Sequence, residues 1–215
     1  MKLLRETIRR MILESQDACD GLNTVLQGAI DRMVAHDLEI VHSMSHNKLR
    51  MTIKEKTSGK TKGILKADKA EPDYSGPCLG GYIVQWAKVE PEYRGTGLGA
   101  LIYDVALELV GGRGLMADRN SVSDDAIRNW NYFKKSPDYV KRPLDDIEGS
   151  YTPDNNLDDC SSGAYFEHGG SFFPNHSPIP EDYFREHPLN QVITKGDRTR
   201  PTIKCLQGLG RIREK

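Results

Sequence analysis

The residues best suited to chemistry lie between Val89 and Ala100: Val89-Glu90-Pro91-Glu92-Tyr93-Arg94-Gly95-Thr96-Gly97-Leu98-Gly99-Ala100. They join a strand-like segment, Gly81 to Val89, to a segment of helical periodicity, Leu98 to Val110. The first turn of a helix has N–H groups without intrahelical acceptors and a partial positive charge. Glycine removes the Cβ atoms that would hold an anion away, so this turn is an anion cradle suited to a pyrophosphate. Arg94 adds a full positive charge beside it. A glutamate at Gly97 is expected to fill the cradle and repel such a group. The pattern Arg94-x-x-Gly97-x-Gly99 lacks the lysine and hydroxyl residue of a Walker loop. A dinucleotide fold puts its glycine turn after the first strand of a βαβ unit, whereas here two helices and several strands come first.

Those preceding elements are legible from periodicity. Leu3, Leu4, Ile8, Met11 and Ile12 form a helical stripe over residues 3–13, with Arg5, Arg9 and Arg10 mostly off it. Leu22, Val25, Leu26, Ala29, Ile30, Met33 and Val34 keep i, i+3, i+4, i+7 spacing and predict a second helix. Leu38–Met44 and Lys48–Lys54 read as strands, the second alternating Leu49, Met51 and Ile53 with polar residues. Gly63–Ala67 is a third strand, and residues 68–80 a loop. Leu98, Leu101, Ile102, Val105 and Leu109 mark the buried face of the central helix, which Gly111 and Gly112 stop. Gly114–Ala117 reads as a short central strand. Ser123 caps a helix with Asp124 and Asp125 in its first turn and Ala126, Ile127, Trp130 and Phe133 on its inner stripe. Beyond Pro137 the signal weakens. Ala164–Phe166, Gln191–Thr194 and Thr202–Leu206 read as short strands, and Arg211–Lys215 as a frayed end.

The chain has 215 residues, enough for one domain with extensions. Lys plus Arg number 30 against 31 Asp plus Glu, so charge gives no argument for nucleic acid. No apolar run reaches the roughly 18 residues of a membrane span. Cys19, Cys78, Cys160 and Cys205 lie far apart, and the charged opening lacks the apolar core of a secretory signal. The expectation is therefore reduced thiols in a cytoplasmic protein. No metal site is expected: His42 and His46 fall on strand-like sequence, and Asp154–Asp159 lacks the glycine and terminal glutamate of a calcium loop.

Val89–Ala100 resembles the acetyl-CoA signature of the GNAT N-acetyltransferase superfamily, R/Q-x-x-G-x-G/A after a V-x-P-x-Y/F strand end. The order of elements is also similar, although the family's first strand has no counterpart before the helices. The match runs in order over residues 20–135 and is tight over 82–133. The resemblance implies an α+β fold: a mixed, mostly antiparallel sheet flanked by helices. Residues 20–136 would be the acetyl-CoA-binding core, 1–14 a basic amphipathic helix, and 137–215 a loop-rich extension able to complete the sheet. It implies that acetyl-CoA is the cosubstrate. Its pyrophosphate would be held by Arg94, Gly95, Thr96, Gly97, Leu98, Gly99 and Ala100, and its pantetheine arm would lie along Lys88, Val89 and Glu90.

In that family an amine attacks the thioester directly. A carboxylate on a central strand often serves as base, and a tyrosine on the helix after the next strand as acid. Glu90 and Asp118 are the candidate bases, and each also reads as an ordinary surface carboxylate. The usual tyrosine position holds Trp130, whose indole is a very poor proton donor; Tyr132, two residues on, is the candidate acid. The amine acceptor is open, and the family often pairs through its sheet. The opening segment resembles leading peptides of some tailed-phage proteins, and Ile12-Leu13-Glu14 matches a triplet after which certain capsid-maturation proteases cut. Leu115–Ser123 with Trp130 also looks like phage-encoded members of the family. The competing expectation is a catalytically degenerate, virion-associated module addressed through residues 1–14.

Overall fold

A computed structural model describes residues 19–70, 81–118, 122–143, 191–196 and 201–215. The helix read at 3–13 and its triplet, most of the loop at 68–80, the strand at Ala164–Phe166, the acidic stretch at 154–159, Cys78 and Cys160 lie outside them. Four α-helices and eight strands are described: α1 (Thr24–Ala35), β1 (Leu38–Ser45), β2 (Lys48–Glu55), β3 (Thr61–Lys69), β4 (Tyr82–Val89), α2 (Leu98–Val110), β5 (Leu115–Ala117), α3 (Asp124–Lys135), β6 (Tyr139–Pro143), β7 (Gln191–Lys195), α4 (Thr202–Gly208) and β8 (Ile212–Glu214). This is an α+β chain with a mixed, mostly antiparallel sheet in the order β6-β7-β5-β4-β3-β2-β1-β8. The parallel pairs are β4 with β5 and β1 with β8. None of the described helices is long and apolar enough to cross a membrane.

The chain forms two compact units, and β3 and β4 contribute residues to both. The first contains α1, β1, β2, the end of β4, nearly all of α2, and α4 with β8. Asn23 starts α1 by accepting the Leu26 amide at 3.1 Å, a side-chain cap on an otherwise unpaired donor. Leu26, Ala29, Ile30 and Met33 are its buried stripe, whereas Val25 and Val34 are 40% and 44% exposed at the stripe's flanks. Leu38 and Ile40 of β1 and Leu49, Met51 and Ile53 of β2 are fully buried. Helix α2 is more deeply buried than one stripe implies: Ala100, Tyr103, Asp104, Ala106, Leu107 and Val110 are covered as well. A helix apolar on nearly every side belongs inside.

The C-terminal segment corrects three expectations. Thr202–Leu206, read as a short strand, is the start of α4, with Thr202, Cys205 and Leu206 buried at helical spacing. The Glu108 carboxylate on α2 accepts the amides of Thr202 and of Ile203, the latter at 2.9 Å, and so caps the helix from another element. Glu108→Ala is expected to cost about 1–3 kcal/mol, read as a lower urea midpoint, because two donors lose their acceptor. The end read as frayed is β8, registered on β1 by Ile40 opposite Ile212. Its charges find partners: Arg211 pairs with Asp37 at 2.6 Å and Arg213 with Glu39 at 3.0 Å. Finally, Cys19 and Cys205 form a disulfide rather than two reduced thiols. Their separation of 186 residues hides the fact that the lead-in to α1 and helix α4 are neighbours.

The second unit contains the start of β4, β5, α3, β6 and β7. Ser123 caps α3 by accepting the Ala126 amide, Asp124 and Asp125 occupy its first turn, and Lys134 and Lys135 its last. Trp130 and Phe133 are its buried residues. Met116, Val192 and Ala70 form a buried cluster against which Ile83 packs. Sequence reading missed β6, which pairs antiparallel with β7 along five residues, Tyr139 to Pro143. Its alternation is weak because Val140, in mid-strand, is half exposed.

Candidate anion-binding site on the β4–α2 turn

Strand β4 is not regular. The Ala70 amide bonds the Gly81 carbonyl at 2.8 Å, and the Glu90 amide bonds the Lys62 carbonyl at 2.9 Å. From Lys62 to Ala70 the chain takes eight steps, but from Gly81 to Glu90 it takes nine. β4 therefore carries one extra residue, a β-bulge. Consecutive exposure of Gln85 and Trp86 places it there. Before the bulge the buried residues are Tyr82 and Val84; after it Ala87 and Val89 are the better covered pair. Trp86 stands 57% exposed on an interior strand of the sheet. The register with β5 covers only Tyr82, Val84 and the residue between them, so Gln85–Val89 lies beyond that ladder. The change of parity from 82 and 84 to 87 and 89 was a readable sign that sequence analysis passed over.

Beyond β4 the chain makes a single 3-10 turn, Pro91–Tyr93. The Arg94 Nε donates to the Val89 carbonyl at 3.3 Å, which holds the guanidinium at the strand end. The Thr96 hydroxyl donates to the Tyr93 carbonyl at 2.6 Å. Gly95 and Gly97 have φ of 71° and 84°, backbone that L residues rarely adopt. The Leu101 amide bonds the Gly97 carbonyl at 2.9 Å, so Gly97 is the N-cap of α2. The amides of Leu98, Gly99 and Ala100 thus precede any intrahelical acceptor. α2 has no acidic residue in its first turn, unlike α3 with its two aspartates, so its positive end is uncompensated from within.

The turn is braced from the side. Lys62 pairs with Glu92 at 3.3 Å and lies 5.4 Å from the Tyr93 ring centre, while the His36 ring meets Tyr93 edge-on at 5.5 Å. The hydrogen bond to Glu92 holds the Lys62 ammonium above its ordinary value. Glu92 is held below the usual carboxylate range, by its own backbone amide and then by Lys62.

Gly97 corrects one expectation. A Cβ there would sit 3.0 Å from the Val25 carbonyl oxygen and 3.2 Å from Ala29 Cβ, both on α1. A side chain at 97 would therefore strike α1 instead of filling the cradle. Gly95, at similar φ, has open space. Gly97→Ala is expected to cost about 2–4 kcal/mol and Gly95→Ala about 1–2, since both carry left-handed strain and only the first adds overpacking. Urea denaturation of the pair checks the difference.

Lys88, Val89, Glu90 and residues 94–100 all belong to the first unit. The Glu90 carboxylate pairs with Lys88 at 3.3 Å. Asp118, just past β5, and Tyr132, on α3, belong to the second unit. Tyr132 is half-buried, its ring 5.0 Å from Phe133 and 6.2 Å from Tyr139. Trp130 is 2% exposed, a core residue. No family model, curated protein or solved structure matches the chain.

Proposed function

We propose that the chain is a GNAT-like N-acetyltransferase that moves acetyl from acetyl-CoA to an amine. The observation that carries this reading is the β4–α2 turn: Arg94, two left-handed glycines and a helix N-terminus with no acidic residue in its first turn follow, after one 3-10 turn, a bulged strand on which Gln85, Trp86 and Lys88 are exposed. In this reading the amides of 95–100 and the Arg94 guanidinium hold the pyrophosphate. Lys88, Val89 and Glu90 line the pantetheine arm, where β4 lies beyond its ladder with β5. The amine forms a C–N bond at the thioester carbonyl and the C–S bond breaks. The amine's proton goes to Glu90 or Asp118, and the leaving thiolate takes one from Tyr132. The strand that the family carries before its helices has no counterpart among the described residues, and the sheet edge beside β1 is held by β8.

The buried Trp130 favours a second reading, a module that binds acetyl-CoA without turnover, virion-associated if the chain is phage-encoded. A proton donor at that position is absent, so catalysis rests on Tyr132. Release of free CoA thiol from acetyl-CoA over a panel of small amines, polyamines and peptides separates the two. Turnover that falls about 10–100-fold in Tyr132→Phe is expected for the enzyme. Binding without turnover across the panel supports the module.

A further inference from the structure

We infer that the Cys19–Cys205 disulfide is a redox-sensitive latch on the Arg94–Ala100 turn. The turn leans on α1, since a Cβ at Gly97 would meet the Val25 carbonyl oxygen at 3.0 Å and the Ala29 Cβ at 3.2 Å, and α1 would have to give way to admit it. Helix α1 is reached from Cys19 by a tight link in which the Leu22 amide bonds the Cys19 carbonyl at 3.3 Å. Across the bridge, Cys205 lies on α4, whose N-terminus is held by Glu108 of α2, the helix that begins at the turn itself. A closed circuit therefore runs from the turn through α2, Glu108 and α4 to the bridge, and back through α1 to the turn. All its members lie in one compact unit. The bridge is the only covalent cross-link in that circuit; the remaining joins between elements are packing and hydrogen bonds.

Cys205 is fully buried and Cys19 lies at the margin of burial. A dithiol thus reaches the Cys19 sulfur first: its thiolate forms a mixed disulfide there while Cys205 leaves as a thiolate and takes a proton. The dithiol's second thiol then displaces Cys19 and closes its own disulfide, so two electrons and two protons pass to the protein. With the link open, α1 keeps its apolar stripe, the His36–Tyr93 edge contact and the Asp37–Arg211 pair at its far end, but its lead-in at Cys19 is no longer tied to α4, and the backing of the turn loosens. This inference goes beyond the acetyltransferase reading and stands without it.

Hydrogen exchange on the unliganded full chain tests it, oxidised and after treatment with dithiothreitol, with Cys205→Ala alongside. Reduction should speed exchange of the Leu101 amide, which bonds the Gly97 carbonyl, and of the Leu26 and Gln27 amides, which bond Asn23, by about tenfold or more while leaving β5 and β7 unchanged. Cys205→Ala should match the reduced wild type and ignore the reductant. Unchanged exchange at the turn would overturn the latch. So would an equal rise across β5 and β7, which would make the bridge a general staple of the fold. Because no cofactor is present, a chain that never binds acetyl-CoA still answers the question.

Discussion

Gly114→Ala is expected to lower the unfolding free energy by about 3–5 kcal/mol, the sum of backbone strain and overpacking. Gly114 sits at φ 75° and ψ 173°, a conformation essentially restricted to glycine. A Cβ there would lie 2.6 Å from the Ile193 carbonyl oxygen, 2.7 Å from Val192 Cγ1 and 2.8 Å from Thr194 Cγ2. The obstruction includes backbone of β7, which is paired along its length with β6 and cannot swing aside. Nor can Gly114 retreat, since its carbonyl accepts the Tyr82 amide at 3.0 Å and its amide bonds the Gly111 carbonyl at 3.1 Å. Gly111→Ala is the control: φ is 61° and no atom stands within 4 Å, so only about 1–2 kcal/mol is expected. Equal urea midpoints for the two variants would show that β7 is not seated against Gly114.

Gly99→Glu should separate binding from folding. Position 99 is the second residue of α2, is half-buried, and lies in a first turn free of acidic side chains. Replacing a helical glycine improves propensity by roughly 0.5–1 kcal/mol. A carboxylate in the first turn adds about 0.3–1 kcal/mol through the helix dipole. Both effects favour the variant, and its thermal melt beside wild type shows whether the half-buried position accepts the side chain. Its carboxylate, however, competes for the amides that would hold a pyrophosphate. Losing one or two charge-assisted hydrogen bonds, at about 1.5–3 kcal/mol each, weakens acetyl-CoA about tenfold or more. Gly97→Glu cannot make this separation, because its side chain would be driven into Val25 and Ala29 of α1.

What sequence revealed depended on how local the cause was. Helix α2 was read to the residue, since Gly97 before it and Gly111 after it are punctuation within the chain. Ser123 likewise announced α3 by its own side-chain bond to Ala126. β2 followed from alternation, because it has one buried face. The features missed have distant causes. α4 is a helix partly because Glu108 caps it from another element, against the β-branched character of Thr202 and Ile203. β8 exists because β1 offers it an edge and Asp37 and Glu39 meet its arginines. Spacing of cysteines carries no distance, so the Cys19–Cys205 bridge had no local signature. At the candidate site, the glycine turn between β4 and α2 was legible, with Arg94 at its start. The packing of Gly97 on α1 was not, because a glycine in sequence does not say which neighbour excluded its side chain. Trp130 was read both as a packing residue and as the occupant of a catalytic position; its burial makes it core.

The most direct test of the acetyltransferase reading is isothermal titration of acetyl-CoA into the oxidised full chain, wild type beside Gly99→Glu, with thermal melts of both. Saturable one-to-one binding by wild type that weakens about tenfold or more in a folded variant is the predicted result, and it would assign the cofactor to residues 94–100. A well-folded wild type that takes up no acetyl-CoA would contradict the proposal at its base.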